Sequence, residues 1–512
     1  MRIPAISFAM TAIACFNFIS LKAQLPFEIS TSAGKISGTT IHNNITIFKG
    51  IPFAAPPVGA LRWKAPQPVK AWTDVRECNR FGPSPMQPSP APFSMWSQEF
   101  LIPKEPISED CLYLNVWTAA KSQKEKRPVL VWIYGGGFGS GGSAVPIYDG
   151  ESFASKSIVF VSINYRVGIF GFLAHPELTA ESSTKSSGNY GLMDQVAALK
   201  WVQQNIAAFG GDPENVTIAG QSAGSMSVNS MVASPLAKGL FIKAIPQSGA
   251  NFTSAAPSLK SAEDQGLATQ ESLGVNSLEA LRSLSAEDLL QKSKGRFWPV
   301  VDGYVLPASI AEIFAQNKEN KVSLLTGWNQ DEGLAGAPVS AAEFRRQAAQ
   351  YGADSAAFLR YYPSGNDEQS ARSQNYLSRD QIFGAQNYTW ANIASAKNQK
   401  VYVYRFTRKV PATGDYIKYG AFHTGEVPYA YNNLRFVDRP WEKEDIILAN
   451  QMSSYWINFI KTGDPNGAGL PKWPLYNKQS KQIIFFDKVV TAGKMKDAAG
   501  LDLLVKILSK KE

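Results

Sequence analysis

Histidine and cysteine are scarce in this sequence, with three residues of each type among 512. No C-x-x-C pair and no H-E-x-x-H sequence occurs, and no dinucleotide-type glycine pattern stands in a suitable place. These patterns are the common sequence marks of zinc, redox and nucleotide sites. We therefore expect a protein that works without a metal or an organic cofactor.

Charge and long apolar segments are also limited. Charged residues make up 18% of the chain against 44% hydrophobic residues, so the chain is able to bury a large core. The formal net charge of +9 is dispersed, and no basic stripe with interleaved aromatic residues indicates nucleic-acid binding. Past the first residues, no segment is long and apolar enough to span a bilayer. A small molecule is thus the expected partner, and the sequence does not indicate an oligomeric state.

The first 23 residues have the character of a secretory signal peptide. An apolar run from residue 3 to about residue 18 follows Arg2, and the small residue Ala23 precedes Gln24. We therefore predict export, to the periplasm or the medium, after cleavage near residue 23. Cys15 follows Ala-Ile-Ala and faintly resembles a bacterial lipoprotein site, but leucine is missing three residues before it. A lipid-anchored form is the less favoured alternative.

Cleavage of the leader would leave two cysteines, Cys78 and Cys111. An even number of cysteines in an exported chain is the number that disulfide pairing requires. We predict a Cys78–Cys111 bridge, and the alternative is a pair of buried thiols.

Strand-like and helix-like patterns alternate along the chain. Short apolar runs rich in β-branched residues separated by helices are typical of an α/β protein with a mostly parallel sheet covered on both faces. Segments 251–296 and 341–398 are helical in pattern and lack strand-like runs, so we expect helical insertions above the sheet. Residues 24–512 are therefore predicted to form one domain. The predicted strands are Val129–Tyr134, Ile158–Asn164, Val216–Ala219, Ser323–Thr326, Val401–Phe406 and Ile483–Phe486.

The stretch after Gly191 is predicted to be a helix with one buried stripe, because its apolar residues recur at helical spacing. Those residues are Leu192, Val196, Leu199 and Val202.

A candidate nucleophile stands at the end of the third predicted strand, in the sequence Gly220-Gln221-Ser222-Ala223-Gly224. G-x-S-x-G between a strand and a helix is the nucleophile elbow of α/β-hydrolases. The turn is so tight that side chains two residues before and after the serine would collide, which is why glycine is needed there. Ser222 is thereby exposed at the end of the strand, where a base can reach it.

A serine hydroxyl needs a base to remove its proton, and histidine suits this role near neutral pH. His42 lies in a short N-terminal segment, and His175 precedes a proline upstream of the candidate nucleophile. His423 lies late in the chain, in a glycine-flanked loop, and agrees with the order nucleophile, acid, histidine that α/β-hydrolases follow. We predict His423 as the general base.

The acid that orients this histidine should follow a strand between positions 222 and 423. The predicted strand Ser323–Thr326 leads to Asp331 and Glu332, and either carboxylate could hold the imidazole tautomer. Chemistry alone does not separate the two, and an acidic turn exposed to solvent is the plain alternative.

Backbone N–H donors for a negatively charged intermediate are offered by the run Gly135-Gly136-Gly137-Phe138-Gly139, which follows the first predicted strand. Glycines let the backbone approach a substrate closely, and the N–H of the residue after the nucleophile completes such a site. A phosphate loop is the alternative, but no G-K-[ST] sequence accompanies the glycines.

These residues, with further motifs along nearly the whole mature chain, resemble the type-B carboxylesterases, which include cholinesterases and bacterial para-nitrobenzyl esterases. The resemblance implies an α/β-hydrolase fold with helical cap insertions and a serine carboxylesterase activity. The matching motifs are F-K-G-I-P-F-A at 48–54, E-D-C-L-Y-L-N-V at 109–116, N-Y-R at 164–166, G-N-Y-G-L-M-D-Q at 188–195, F-G-G-D-P at 209–213 and T-G-D-P at 462–465.

The resemblance also assigns site residues. It implies Glu332 as the acid of a Ser222–His423–Glu332 triad, the N–H groups of Gly136, Gly137 and Ala223 as the oxyanion hole, and support for the cysteine pairing. Many members carry glutamate where Gln221 stands here. We expect that side chain to point away from the attacked carbon and to affect the reaction little.

Substrate choice is the least determined property. The segment between the two cysteines holds Phe93, Met95 and Trp96, which would either form an aromatic wall for small or aromatic esters or simply pack the loop. Trp96 and Phe138 are the candidate substrate contacts. A feruloyl, phenolic or mycotoxin esterase is the alternative, and lipase action on long triglycerides ranks below it. A noncatalytic cholinesterase-like binding protein is the alternative from another class, but such relatives lose the nucleophile, whereas this chain has Ser222, Glu332 and His423 together.

Overall fold

A large sheet is the centre of the protein. The computed structural model describes residues 28–253 and 256–509, so the predicted signal peptide at residues 1–23 lies outside the described residues. The strands of the described part are β1 (Glu28–Thr31), β2 (Gly34–Ser37), β3 (Thr39–Thr40), β4 (Thr46–Pro52), β5 (Arg76–Glu77), β6 (Ser84–Pro85), β7 (Ile107–Ser108), β8 (Tyr113–Thr118), β9 (Arg127–Ile133), β10 (Val159–Ile163), β11 (Gly211–Gln221), β12 (Lys243–Gln247), β13 (Ser323–Asn329), β14 (Val401–Phe406), β15 (Gln482–Phe486) and β16 (Thr491–Lys494).

Helices precede and follow most of the central strands. The α-helices of the described part are α1 (Glu151–Ala154), α2 (Gly168–Phe172), α3 (Pro176–Glu181), α4 (Tyr190–Asn205), α5 (Ala223–Ala233), α6 (Leu259–Ser272), α7 (Leu278–Ser283), α8 (Ala286–Lys292), α9 (Ile310–Ala315), α10 (Ala341–Ala348), α11 (Ser355–Tyr361), α12 (Asp367–Arg379), α13 (Ala385–Ala396), α14 (Val427–Ala430), α15 (Lys443–Thr462) and α16 (Ala498–Leu508).

Eleven strands form the main sheet, in the order β16-β15-β14-β13-β12-β11-β9-β10-β8-β4-β3. The seven strands from β15 to β10 in this order are parallel, and the strands at both edges are antiparallel to their neighbours. Helices cover both faces, so the central strands are buried on both sides, as parallel strands usually are. In β9, for example, Val129, Val131 and Ile133 are fully buried together with the residues between them.

The strand order reverses direction at β9. The chain passes from β9 to β10 on one side, then returns across β9 to β11 and continues outward through β12 to β15. Loops at such a reversal diverge and leave a crevice at the carboxyl ends of the strands, where open α/β sheets bind ligands. Ile133 of β9 pairs with Gly220 of β11 at that end. The glycine loop and the candidate nucleophile therefore leave the sheet side by side.

Helix α4 differs from its prediction. The four residues of the predicted stripe are buried, but most of the opposite face is buried as well. The reason is polar packing: Asp194 forms a buried ion pair with Arg166, and Gln195 donates a hydrogen bond from Nε2 to Ser227 Oγ at 3.0 Å. Periodicity of apolar residues does not register a face that is buried through hydrogen bonds and charge pairing.

Two groups of helices lie outside the alternation of strand and helix. Helices α6 to α8 fall between β12 and β13, and α10 to α13 fall between β13 and β14. Between α12 and α13 the chain makes one π-helical turn at Asp380–Gly384. None of the helices in residues 28–253 and 256–509 has the length and apolar character needed to cross a membrane.

Candidate active site

Ser222 stands at a sharp turn between β11 and α5. Its backbone has φ +59° and ψ −125°, an uncommon conformation for a residue other than glycine. A Cβ atom on Gly220 would lie 2.5 Å from the carbonyl of Gly224, and one on Gly224 would lie 2.1 Å from the oxygen of Ile133. Only glycine fits at both positions, as the sequence argument predicts, and the serine is held in its strained conformation.

The glycine loop after β9 packs directly against this turn. A Cβ atom on Gly135 would lie 2.9 Å from the Cβ of Ser222, and Gly136 and Gly137 have φ values of +120° and +59°. Within the described residues, the N–H groups of Gly136 and Gly137 make no backbone–backbone hydrogen bond. Ala223 is the first residue of α5, where a helix N–H has no partner inside the helix. In the part of the chain that the structure describes, the segments that flank Ser222 thus hold three N–H groups without a backbone acceptor, those of Gly136, Gly137 and Ala223.

His423 and Glu332 form a buried pair. Nδ1 of His423 lies 2.8 Å from Oε2 of Glu332, and their side chains are 2% and 0% exposed. The other carboxylate oxygen, Oε1, accepts a hydrogen bond from the backbone N–H of Asn329 at 2.7 Å. The carboxylate is thus fixed from the end of β13, and it fixes one nitrogen of the imidazole ring.

Asp331, the other candidate acid, has a different contact. Its Oδ2 accepts a hydrogen bond from the N–H of Ala421 at 2.9 Å, and its own N–H donates to the carbonyl of Ala421 at 3.0 Å. Asp331 therefore joins the turn after β13 to the loop that carries His423, two residues before the histidine. The two neighbouring carboxylates point to different partners.

Three side chains surround the His423 ring. Phe383 is stacked on it with ring centroids 4.4 Å apart and an interplanar angle of 15°. The indole of Trp96 is roughly perpendicular to the His423 ring, with ring centroids 6.2 Å apart. The amide nitrogen of Gln221 lies 3.1 Å from Nε2 and 3.3 Å from Nδ1. Phe383 comes from the π-helical turn, a rare geometry that is common at functional sites.

A second buried carboxylate, Glu426, lies behind the pair. Its oxygens accept hydrogen bonds from Gln247 Nε2 at 3.1 Å and from the side-chain amide of Asn329 at 2.5 Å. Burial, and then the negative charge of Glu332, raise the pKa of Glu426 to about 7. Asn329 thus contacts both carboxylates, one through its backbone and one through its side chain.

Comparison with known proteins identifies the family of the chain. The model of the carboxylesterase family matches residues 26–499. The chain belongs to the carboxylesterase family. It is 36% identical to the fumonisin B1 esterase of Sphingopyxis macrogoltabida, over 90% of this chain and 86% of that protein. It is also 36% identical to the para-nitrobenzyl esterase of Bacillus subtilis, over 90% and 95% of the two chains, and 33% identical to the liver carboxylesterase of Sus scrofa, over 95% and 94%.

Solved structures give the same result. A para-nitrobenzyl esterase structure superposes with a TM-score of 0.82 at 33% identity, covering 94% of this chain and 99% of that one. The predicted α/β-hydrolase fold is therefore confirmed, as is the resemblance to the carboxylesterases. This carboxylesterase is a serine hydrolase of carboxylic esters.

The other two histidines lie away from this site. His42 is exposed and contacts Glu151 at 2.6 Å, and His175 is buried against Gln270 at the start of α3. In this carboxylesterase, His423 is the histidine whose ring contacts a neighbour of Ser222.

The candidate substrate contacts differ in their surroundings. Trp96 is partly buried and contacts the His423 ring, whereas Phe138 is 1% exposed and packs edge-on against Phe172 and Trp298. Packing of Phe138 supports the glycine loop, and a substrate contact through its ring stays a prediction.

Cys78 and Cys111 are both buried as free thiols. Two buried thiols are the alternative to the predicted bridge, so the disulfide stays a prediction.

Sequence reasoning missed several residues of the site. Asn329, Phe383 and Glu426 carry no motif of their own, although Glu426 follows the chosen histidine by three positions. The expectation that Gln221 affects the site little did not include its contact with the imidazole. A polar residue beside the nucleophile is the one sequence signal that could have pointed to this contact.

Proposed function

We propose that this carboxylesterase cleaves its ester through Ser222 as nucleophile, His423 as general base and Glu332 as the residue that orients the imidazole. The observation that carries the proposal is the 2.8 Å contact between His423 Nδ1 and Glu332 Oε2. With Nδ1 protonated and bound to the carboxylate, the lone pair of Nε2 is left to accept the serine proton.

The proposed reaction has two stages. Ser222 Oγ attacks the carbonyl carbon while His423 takes its proton, and the carbonyl oxygen becomes negatively charged near the N–H groups of Gly136, Gly137 and Ala223. The imidazolium then gives the proton to the leaving alcohol, which leaves an acyl group on the serine. Water repeats the sequence with the same base and releases the acid and the free enzyme.

The hydrogen bond from Ser222 Oγ to His423 belongs to the substrate complex in this proposal. In the structure, the side chain that contacts Nε2 is the Gln221 amide. Catalytic hydrogen bonds are often long before substrate binds and tighten in the complex. The positive-φ turn of Ser222 supports the assignment, because it leaves the serine partly exposed at the carboxyl end of β11, beside the end of β9.

A labelling experiment tests the nucleophile. A fluorophosphonate probe is expected to modify wild-type protein once, on the peptide that contains Ser222, and to leave Ser222→Ala unmodified. Ser248→Ala is the matched control, since Ser248 also follows a parallel strand and also has positive φ, +55°. Labelling of Ser222→Ala, or loss of labelling in Ser248→Ala with the fold intact, would contradict the proposal.

For the substrate, we propose small or aromatic carboxylic esters. Trp96 and Phe383 both contact the His423 ring, so an acyl or alcohol group at the reacting centre would meet aromatic surface. A mycotoxin ester is the second candidate, because one relative at 36% identity is a fumonisin B1 esterase. A panel of esters that varies the acyl group and the alcohol group separately, with fumonisin B1 as an additional substrate, would separate the two.

We propose further that residues 24–512 act as one catalytic domain after export. The apolar leader supports export, and the match of the family model to residues 26–499 supports one unit. The mass of the protein recovered from its producing cells tests the cleavage site near residue 23, and added lipid mass on Cys15 would favour the anchored form.

A further inference from the structure

The Gln221 side chain contacts the catalytic imidazole from outside the ring plane. Its amide nitrogen is nearly equidistant from the two ring nitrogens, at 3.1 and 3.3 Å. Cε1 lies between those nitrogens, so an in-plane approach at these distances would overlap that carbon. The in-plane lone pair of Nε2 therefore stays available to Ser222, while the amide restrains the tilt of the ring.

The orientation of this amide is set by a chain of hydrogen bonds. Trp96 Nε1 donates to Thr424 Oγ1 at 3.1 Å, and an indole N–H is only a donor. The Thr424 hydroxyl therefore accepts from the indole and uses its own proton to donate to Gln221 Oε1, at 3.3 Å. With the amide oxygen engaged, the NH₂ group of Gln221 faces His423.

Thr424 is in an unusual backbone conformation that these bonds help to hold. Its φ is +80°, and a β-branched residue at positive φ is a genuine outlier that the surroundings must stabilise. Thr424 directly follows His423 and is 5% exposed. Its hydroxyl is thus placed to affect both the loop that carries the base and the amide that touches the base.

The relay of hydrogen bonds from Trp96 through Thr424 to Gln221 begins near the surface of the protein, at Trp96. Its ring lies 4.8 Å from that of Phe93, which is 58% exposed, and is roughly perpendicular to the His423 ring at 6.2 Å. The indole thus lies between the surface and the reacting centre, and its two ends differ in role. The ring offers apolar area, and the N–H holds Thr424.

We propose that Trp96 is a positioning residue for His423, acting through Thr424 and Gln221. The proposal rests on the triad proposed above. It adds that Trp96, an aromatic residue beside the reacting centre, also holds the general base in position through hydrogen bonds. Removal of any hydrogen bond in the relay is expected to slow turnover more than it weakens substrate binding.

The test compares hydroxyl deletion with hydroxyl retention at position 424. Thr424→Val keeps the branched shape and removes both hydrogen bonds, so kcat on a nitrophenyl ester should fall roughly 3- to 10-fold, the usual range for a lost hydrogen bond. KM should stay within about twofold, since Thr424 acts on the base. Thr424→Ser, which restores the hydroxyl, should recover most of kcat.

Two further variants follow the relay outward and inward. Trp96→Phe keeps an aromatic ring and removes the N–H, and it should show the same fall in kcat with little change in KM. The double variant Gln221→Leu with Thr424→Val should have the same kcat as Gln221→Leu alone, because the first change already breaks the relay. The control is Thr217→Val on β11, the strand that also holds Gln221, because the buried Thr217 hydroxyl has no hydrogen-bond partner among the described residues.

The outcomes separate this proposal from the triad itself. A wild-type protein that fluorophosphonate fails to label at Ser222 would overturn the proposed function. Normal labelling with wild-type kcat in Thr424→Val, or with equal losses in Thr424→Val and Thr424→Ser, would overturn the relay and leave the triad standing. A change confined to KM in Trp96→Phe would reduce Trp96 to a substrate contact.

Discussion

Exchange of Glu332 for glutamine tests the proposed acid of the triad most sharply, because the structure determines how the new amide must orient. The backbone N–H of Asn329 donates to Oε1 of Glu332, and a donor selects the carbonyl oxygen of glutamine. The NH₂ group is then left facing Nδ1 of His423. To accept a hydrogen bond from this NH₂ group, Nδ1 must be unprotonated, so the imidazole carries its proton on Nε2. A protonated Nε2 is unable to take a proton from Ser222.

The expected loss is large for two reasons. The variant favours the wrong tautomer, and it removes the negative charge that stabilises the imidazolium in the transition state. The matching aspartate-to-asparagine change in a Ser-His-Asp triad lowers kcat about 10⁴-fold, which corresponds to about 5 kcal/mol of activation free energy. We expect a loss of this order for Glu332→Gln with an unchanged fold.

Asp331→Asn is the matched control on the neighbouring residue. An asparagine oxygen is still able to accept the hydrogen bond from the N–H of Ala421, so we expect less than about a tenfold loss. Both rates are measured on one activated ester with purified proteins of verified melting temperature. Near-wild-type turnover in Glu332→Gln beside a collapse in Asp331→Asn would refute the reasoning.

Three further predictions concern stability and covalent state. Burial raises the pKa of Glu426 to about 7 from 4.5, so the folded protein holds this proton more tightly. Binding of this proton therefore contributes about 3 kcal/mol to the free energy of unfolding. The contribution is complete below about pH 4.5 and is lost as the pH rises through 7. As the pH is raised from 5 to 8, the melting temperature of Glu426→Gln should therefore rise relative to that of the wild-type protein. Parallel curves of melting temperature against pH would contradict this. Gly224→Ala should destabilise by about 1–3 kcal/mol in thermal or denaturant unfolding, because the new methyl group meets a carbonyl oxygen 2.1 Å away. Gly336→Ala is its control, because a Cβ atom there would meet no described residue within 4 Å apart from its chain neighbours. If Cys78 and Cys111 pair in the exported protein, its intact mass is two hydrogens lower before reduction, and two alkylatable thiols in the unfolded, unreduced protein would exclude the bridge.

Most of the parallel sheet could be predicted from the sequence, since buried parallel strands are runs of β-branched and apolar residues. The predicted Val401–Phe406 matches β14, and Val129–Tyr134 differs from β9 by a shift at its ends. Strand β12 was missed because Lys243–Gln247 contains a lysine, a proline and a glutamine. Its position is determined by pairing with β11 and β13 rather than by its own composition.

Residues of the candidate site could be predicted where the backbone conformation requires one particular type of residue. Glycines 220 and 224 show such a requirement, because each would collide with backbone if it carried a Cβ. Phe383 and Glu426 show none, since their roles depend on which loops the fold brings together around His423. The choice between Asp331 and Glu332 was open from chemistry for the same reason, and only three-dimensional geometry gives each carboxylate a distinct partner.

The short strands β6 and β7 have a practical consequence. They pair with each other in parallel, Ser84 with Ile107 and Pro85 with Ser108, and so tie together the two ends of the segment that carries Phe93 and Trp96. That segment is a closed loop whose anchor points lie next to one another. Its ends are not replaceable, because Gln87 bonds to Gly141 and Phe100 packs against Phe422, whereas an exposed loop tip tolerates replacement best. An exchange of the largely exposed residues 88–94 for a tip of other length or polarity would alter the surface beside Trp96 without rebuilding the sheet, because it leaves the buried Gln87, Phe100 and Ile102 in place.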